Sequence, residues 1–324
     1  MKNARVPGAG LVMTLGLAAV AAAAPPGPST FSIVAADPEA GEVGVAVASR
    51  FFAVGSVVPW ARAGVGAVAT QANANTTFGP RGLELLASGR GAQAALDALL
   101  AADDGRQRRQ VGIVRADGAS ATYSGPGCTA WAGGRAGPGY AVQGNILAGE
   151  AVVAALERRF LETKGRPLAE RLAEALAAGD AAGGDARGRQ SAAVLVAREA
   201  GGYNGFTDRA VDVRVDDHAD PIVEIVRLTR LAVVNDTWNR GWTAFGAKRY
   251  PEALRFQRET AAMAERAPAL LPEVLYDLAV ILHANAQDDE AWTVLQRALA
   301  ANPKLREQAL RDDDLGTLRD RLRK

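Results

Sequence analysis

An α+β fold, a four-layer αββα sandwich with a small all-α module behind it, is what this sequence predicts, and three observations carry the prediction. Strand-like stretches come in groups joined by hairpin turns, helical stretches come in pairs between those groups, and the chain turns to continuous helix beyond residue 232. Single β and α units in alternation would indicate a doubly wound parallel sheet. Hairpin-joined strands and paired helices favour two antiparallel sheets between helix layers instead.

The first hairpin pairs residues 31–36 with 43–49 across the turn Asp37-Pro38-Glu39-Ala40-Gly41. Residues 65–71 read as a third strand and 73–77 as a polar turn. Residues 80–88 and 92–101 read as helices parted by Gly89-Arg90-Gly91, with Pro80 near a helix start, where a missing N–H is tolerated. Asp117-Gly118 turns a second hairpin between 110–115 and 119–124. The Gly-rich stretch 125–139 reads as loop, 140–144 as strand, and 150–164 and 168–178 as the second helix pair. Strands at 190–198 and 210–215 follow, and a helix near Pro221 leads out of the domain.

Beyond it, Gly241, Tyr250, Ala253 and Leu254 recur in kind as Ala279, Asp288, Ala291 and Trp292, followed by Leu295, Ala298 and Pro303. The spacing is close to the tetratricopeptide (TPR) period, and small residues stand where paired helices cross. Two repeats are fewer than usually stand alone, so a TPR-like module docked on the first domain is expected, with a peptide or protein as its partner.

Lys plus Arg number 37 against 36 Asp plus Glu, so no overall field favours nucleic acid or an anionic membrane. At the N-terminus, Lys2 and Arg5 precede an apolar run over residues 11–24 that is short for a membrane span. Residues 21–24, all alanine, suit signal peptidase. Residues 1–24 therefore read as a signal peptide, 25–29 as a linker, 30–231 as the sandwich and 232–324 as the helical module. The processed protein is expected in the periplasm or secreted, without stable membrane insertion. Cys128 is the single cysteine, which rules out an intrachain disulfide. His218 and His283 have no partner at zinc-ligand spacing, and no phosphate-cradling loop occurs outside the leader, so neither zinc nor a nucleotide cofactor is expected. A carboxylate-only Ca²⁺ or Mg²⁺ site stays open.

Eight motifs in order carry a resemblance to a known family: Thr30-Phe31-Ser32-Ile33-Val34-Ala35, Gly44-Val45-Ala46-Val47-Ala48-Ser49, Ala53-Val54-Gly55-Ser56-Val57-Val58-Pro59, Ala63-Gly64-Val65-Gly66-Ala67-Val68-Ala69-Thr70-Gln71, Gly79-Pro80-Arg81-Gly82, Val142-Gln143-Gly144-Asn145, Gly188-Arg189-Gln190-Ser191-Ala192 and Val215-Asp216-Asp217-His218. Over roughly residues 30–231 the chain resembles the domain-of-unknown-function family numbered 1028. The resemblance implies an N-terminal-nucleophile (Ntn) hydrolase-like fold, in agreement with the element order, and names no substrate. In Ntn hydrolases a Thr, Ser or Cys at the mature N-terminus attacks and its own α-amine is the base, because a hydroxyl alone is almost un-ionised at neutral pH.

Thr30 opens the first strand, and Ser32 shares its face because side chains alternate. With a leader ahead of Thr30, a free Thr30 amine requires a further cut after Ser29. His218, between Asp217 and Asp220, is a candidate acid–base group, with Asp217 to orient it; capping of the helix at Pro221 is its alternative setting. Asn145 and Gln71 are candidate oxyanion donors. Arg50 and Arg189 are candidate clamps for a substrate carboxylate, and Ser49 and Ser56 are candidate hydroxyls. Two functions follow: an exported amidohydrolase of a small amide or peptide, cell-wall-derived fragments included, or a catalytically silent ligand-binding domain joined to a peptide-binding module.

Overall fold

The computed structural model describes residues 30–323 together with Met1. The expected signal peptide and linker lie outside the described residues. No helix among the described residues is long and apolar enough to cross a membrane.

The chain runs β1 (Thr30–Asp37), β2 (Glu42–Ser49), β3 (Pro59–Arg62), β4 (Gly66–Ala72), α1 (Phe78–Ala87), α2 (Ala92–Ala101), β5 (Arg109–Arg115), β6 (Ser120–Ser124), β7 (Gly133–Gly137), β8 (Tyr140–Asn145), α3 (Glu150–Glu162), α4 (Leu168–Ala181), β9 (Ser191–Arg198) and β10 (Arg209–Val215). Two antiparallel sheets result, one ordered β10-β9-β2-β1-β8-β7 and the other β3-β4-β5-β6.

Alternation builds the layers. Phe31 and Ile33 of β1 face outward onto Leu156 of α3 and Leu172 and Leu176 of α4. Val68 of β4 and Val111 and Ile113 of β5 face outward onto Phe78 and Leu83 of α1 and Leu96 and Leu99 of α2. The inward residues, Val34, Val43, Val45, Ala67, Ala69 and Val114 among them, close the sheets on each other. Each buried valine or leucine side chain adds about 1.5–3 kcal/mol. The αββα architecture is as the sequence predicts.

Two strands depart from expectation, both at sheet edges. β7 forms inside the glycine-rich stretch read as loop, paired along its backbone to β8. β3, led by Pro59, pairs only with β4, which suits a residue that has no N–H to give a second neighbour.

The helical part holds α5 (Pro221–Gly246), α6 (Tyr250–Ala264), α7 (Leu271–Ala284), α8 (Asp288–Ala301), α9 (Leu305–Ala309) and α10 (Thr317–Leu322). Ala279, Ala291, Leu295 and Ala298 are fully buried where α7 meets α8. α5 runs unbroken past residue 231: Ile222, Ile225 and Val233 pack on the six-stranded sheet's helix layer, and Ala244 packs in the helical core. Arg198 of β9 fastens the same junction, bonding Glu42 of β2 at 2.7 Å and Asp236 of α5 at 2.6 Å.

Candidate active site

Thr30, Ser32, Val34 and Ala36 occupy the face of β1 that looks toward the second sheet, and the strand registers repeat that parity. Ser49, Val47 and Val45 of β2 stand opposite Thr30, Ser32 and Val34. Asn145, Gln143 and Ala141 of β8 stand opposite the same three from the other side. Across the gap, β4 presents Gln71, Ala69 and Ala67, paired with Gln110, Gly112 and Val114 of β5. The layer between the sheets is therefore graded, with hydroxyls and amides at the Thr30 end and valine and alanine at the other.

The polar end is one hydrogen-bonded network. Ser32 Oγ donates to Gln71 Oε1 and accepts from Gln143 Nε2, both at 2.6 Å. Gln71 Nε2 donates to the Thr30 carbonyl at 3.2 Å and to Gln110 Oε1 at 2.8 Å. The Gln110 oxygen also accepts from Asn145 Nδ2 at 2.9 Å, while Gln110 Nε2 reaches Ser124 Oγ and the Gly144 carbonyl, each at 2.7 Å. The Thr30 and Ser49 hydroxyls stand 3.2 Å apart. All seven residues from Thr30 to Asn145 in this network's centre are buried, where an unbonded amide would be costly. Gly112 makes the room, since a Cβ there would lie 2.3 Å from Gln143 Oε1.

The network separates the two hydroxyls the sequence offers. Ser32 gives its one proton to Gln71 and takes another from Gln143, so it serves as a structural link. Thr30 stands at the first position of its strand, beside Ser49 and Asn145. The side chains joined by these bonds are hydroxyls and amides.

Residues 184–188 form a strap between the ends of β2 and β8. Leu147, just beyond Asn145, bridges Asp185, and Ala148 N–H donates to the Gly184 carbonyl at 3.1 Å. On the other flank, Arg50 N–H donates to the buried Asp185 Oδ2 at 2.7 Å. Arg187 closes on the same carboxylate at 3.1 Å. The strap thus ties together the ends of β2 and β8, the two neighbours of β1.

The other residues singled out in the sequence lie outside the network. Arg189, a candidate clamp in the sequence, bonds Asp180 through two contacts of 2.8 and 2.7 Å. Ser56 is exposed and bonds only the Ala53 carbonyl, at 2.8 Å. His218 is exposed, and its Nδ1 accepts the Asp220 N–H at 3.0 Å. Asp220 caps α5 through Val223 N–H at 3.3 Å, so the helix-start setting describes this turn. Asp217 accepts from Gln190 at 3.2 Å and does not orient the imidazole through any hydrogen bond among the described residues. Ser191, also buried, ties Phe51 and Val54 of the loop after β2. Cys128 bonds the Arg109 carbonyl, and burial raises its thiol pKa, unlike a reactive thiolate.

Sequence reasoning missed Gln110, Gln143 and Asp185. The usable signal was parity: Gln143 lies two residues before Asn145 and shares its face. Larger clefts of about 460 and 660 Å³ lie between the sandwich and α5–α6, around Arg166, Pro167 and Glu259, away from Thr30. No group of three or more metal-ligating side chains occurs among the described residues.

The model of a family of unknown function, DUF1028, matches residues 30–225, a span that opens at Thr30 and stops within α5. The crystal structure of a Silicibacter pomeroyi protein carrying the same family model aligns with a TM-score of 0.57 at 29% identity, covering 63% of this chain and 89% of that one. No curated protein matches. By the match of the family model over residues 30–225, more than half of its length, this chain belongs to the DUF1028 family.

Proposed function

We propose that the protein is an exported amidohydrolase of the N-terminal-nucleophile type, acting on a small amide or peptide. The observation that carries this reading is the placement of Thr30. It begins β1 at the polar end of the inter-sheet layer, with the Ser49 hydroxyl 3.2 Å away and Asn145 as its ladder partner on the other side.

Removal of the residues before Thr30 would free an α-amine beside its hydroxyl. That amine takes the Thr30 proton as Oγ bonds to the substrate's carbonyl carbon, and the tetrahedral oxyanion faces the Asn145 amide. Collapse breaks the C–N bond, the leaving amine takes the proton from the α-ammonium, and water then hydrolyses the threonyl ester. The α7–α8 pair, with buried small residues at its crossing, supports a TPR-like module that receives a peptide partner.

The test is intact mass and N-terminal sequencing of protein from an exporting host, followed by an amide library with native protein and Thr30→Ala. A chain beginning at Thr30, with turnover lost in Thr30→Ala, is the expected result. Turnover unchanged in Thr30→Ala would remove the nucleophile assignment. A second reading, a ligand-binding domain without turnover, is favoured by the completeness with which Gln71, Gln110 and Ser32 satisfy one another. A chain retaining residues ahead of Thr30 would favour it.

A further inference from the structure

Arg50 differs from the two arginines in and beside the strap, Arg187 and Arg189. Arg187 is paired with Asp185 and Arg189 with Asp180. Arg50 makes no ion pair among the described residues: its Nη1 donates to the Arg187 carbonyl at 3.0 Å, and its main-chain N–H is held by the buried Asp185 carboxylate at 2.7 Å. Gly188, with φ of +108°, leaves the guanidinium its room, since a Cβ there would lie 3.2 Å from Nη1. The cation is thus exposed, within ion-pair distance of no carboxylate among the described residues, and held from both its backbone and its head.

Its position is what gives it meaning. Arg50 follows Ser49, the ladder partner of Thr30, and the next residues, Phe51 and Phe52, are 38% and 64% exposed. A planar cation with donors to spare suits a carboxylate. An exposed aromatic two residues on suits an apolar group beside that carboxylate.

We propose that Arg50 and Phe52 form the specificity subsite of the Thr30 centre, and that the substrate class is amides bearing a free carboxylate next to a large apolar group, such as a short peptide with an apolar C-terminal residue. The inference rests on the hydrolase reading of Thr30. Asp185 acts as the positioning residue: it fixes the Arg50 backbone, while the strap it anchors carries the carbonyl that aims the guanidinium.

The experiment compares matched N-acyl dipeptides ending in phenylalanine, as free acid and as carboxamide, with the mature full-length protein. Capping the carboxylate is expected to raise KM about 10- to 100-fold, the range of a charge-assisted hydrogen bond, with kcat little changed. Arg50→Ala should raise KM for the free acid by a similar factor and erase the difference between the two substrates, while Arg50→Lys recovers part of it. Phe52→Ser should weaken the preference for phenylalanine over alanine at that position. Thermal melts of each variant check folding. Equal handling of acid and carboxamide by native protein, or a preference that survives in a folded Arg50→Ala, overturns the subsite. If native protein turns over neither substrate, the hydrolase reading fails by itself, and calorimetric titration with the free acid decides the subsite. Binding lost in Arg50→Ala sustains it, and absence of binding to native protein ends it.

Discussion

Ser32 and Thr30 share a face of one strand, yet their surroundings give them different work. Ser32 is bonded from both sides by Gln71 and Gln143, so Ser32→Ala leaves two buried amide groups short of a partner. A loss of about 1–3 kcal/mol is expected, seen as a lower urea midpoint, while Thr30-dependent turnover persists. Gly112→Ala should be harsher than a surface Gly→Ala, because its Cβ would displace the Gln143 amide. Thr30, Ser32, Gln71 and Asn145 were legible in the sequence because they sit in or next to apolar alternation. Gln110 and Gln143 were not, since a glutamine in a strand ordinarily marks the solvent side, and only cross-strand register shows that this face is enclosed.

Elements declared themselves where burial patterned them. β1 and β2, α3 and α4 were visible from periodicity, whereas β7, with the sequence Gly-Gly-Arg-Ala-Gly, has no apolar alternation to read and exists by backbone pairing alone. The start of α5 was visible through Asp220 ahead of Pro221, and Asp220→Ala should cost about 1 kcal/mol in a thermal melt by removing that cap. Farther along α5, Trp238 and Trp242 both donate indole N–H bonds, each 2.7 Å, to Asp277 of α7. Nothing in the spacing of these tryptophans announces the shared acceptor, which emerges only when the helices are laid side by side. Burial pushes the Asp277 carboxyl up to about 6 despite those two bonds, with Asp312 and Glu273 adding to the rise. A raised folded-state value means that the native chain holds an extra proton between about pH 4 and 6. Stability is therefore greatest below that window and falls as pH rises through it, by up to ~3 kcal/mol. Urea titrations at pH 4 and pH 7 should show this difference shrinking in Asp277→Asn.

At the scale of the whole molecule, the sandwich and the helices are fastened through charge as well as through apolar packing. Arg198 bridges Glu42 and Asp236 across the junction, and burial raises the Glu42 pKa even so. Arg198→Ala would leave both carboxylates without their cation, and a loss on the order of 3–5 kcal/mol is expected. The melt of that variant should broaden or split as the two parts part company. None of this junction was legible beforehand: Glu42, Arg198 and Asp236 are far apart in the chain and each looks like an ordinary surface charge. The helix texture beyond residue 232 was legible, but the 26 residues of α5 were not recognised as one continuous rod. Such a rod is about 39 Å long. It has no hinge at the place where a linker between two parts would normally give slack, so it works as a lever: force on the far helices arrives as torque at the turn around His218, at the same end of the sheet as Thr30. Spin labels placed at the two ends of the rod should report one narrow distance, because a displacement of one end is carried whole to the other.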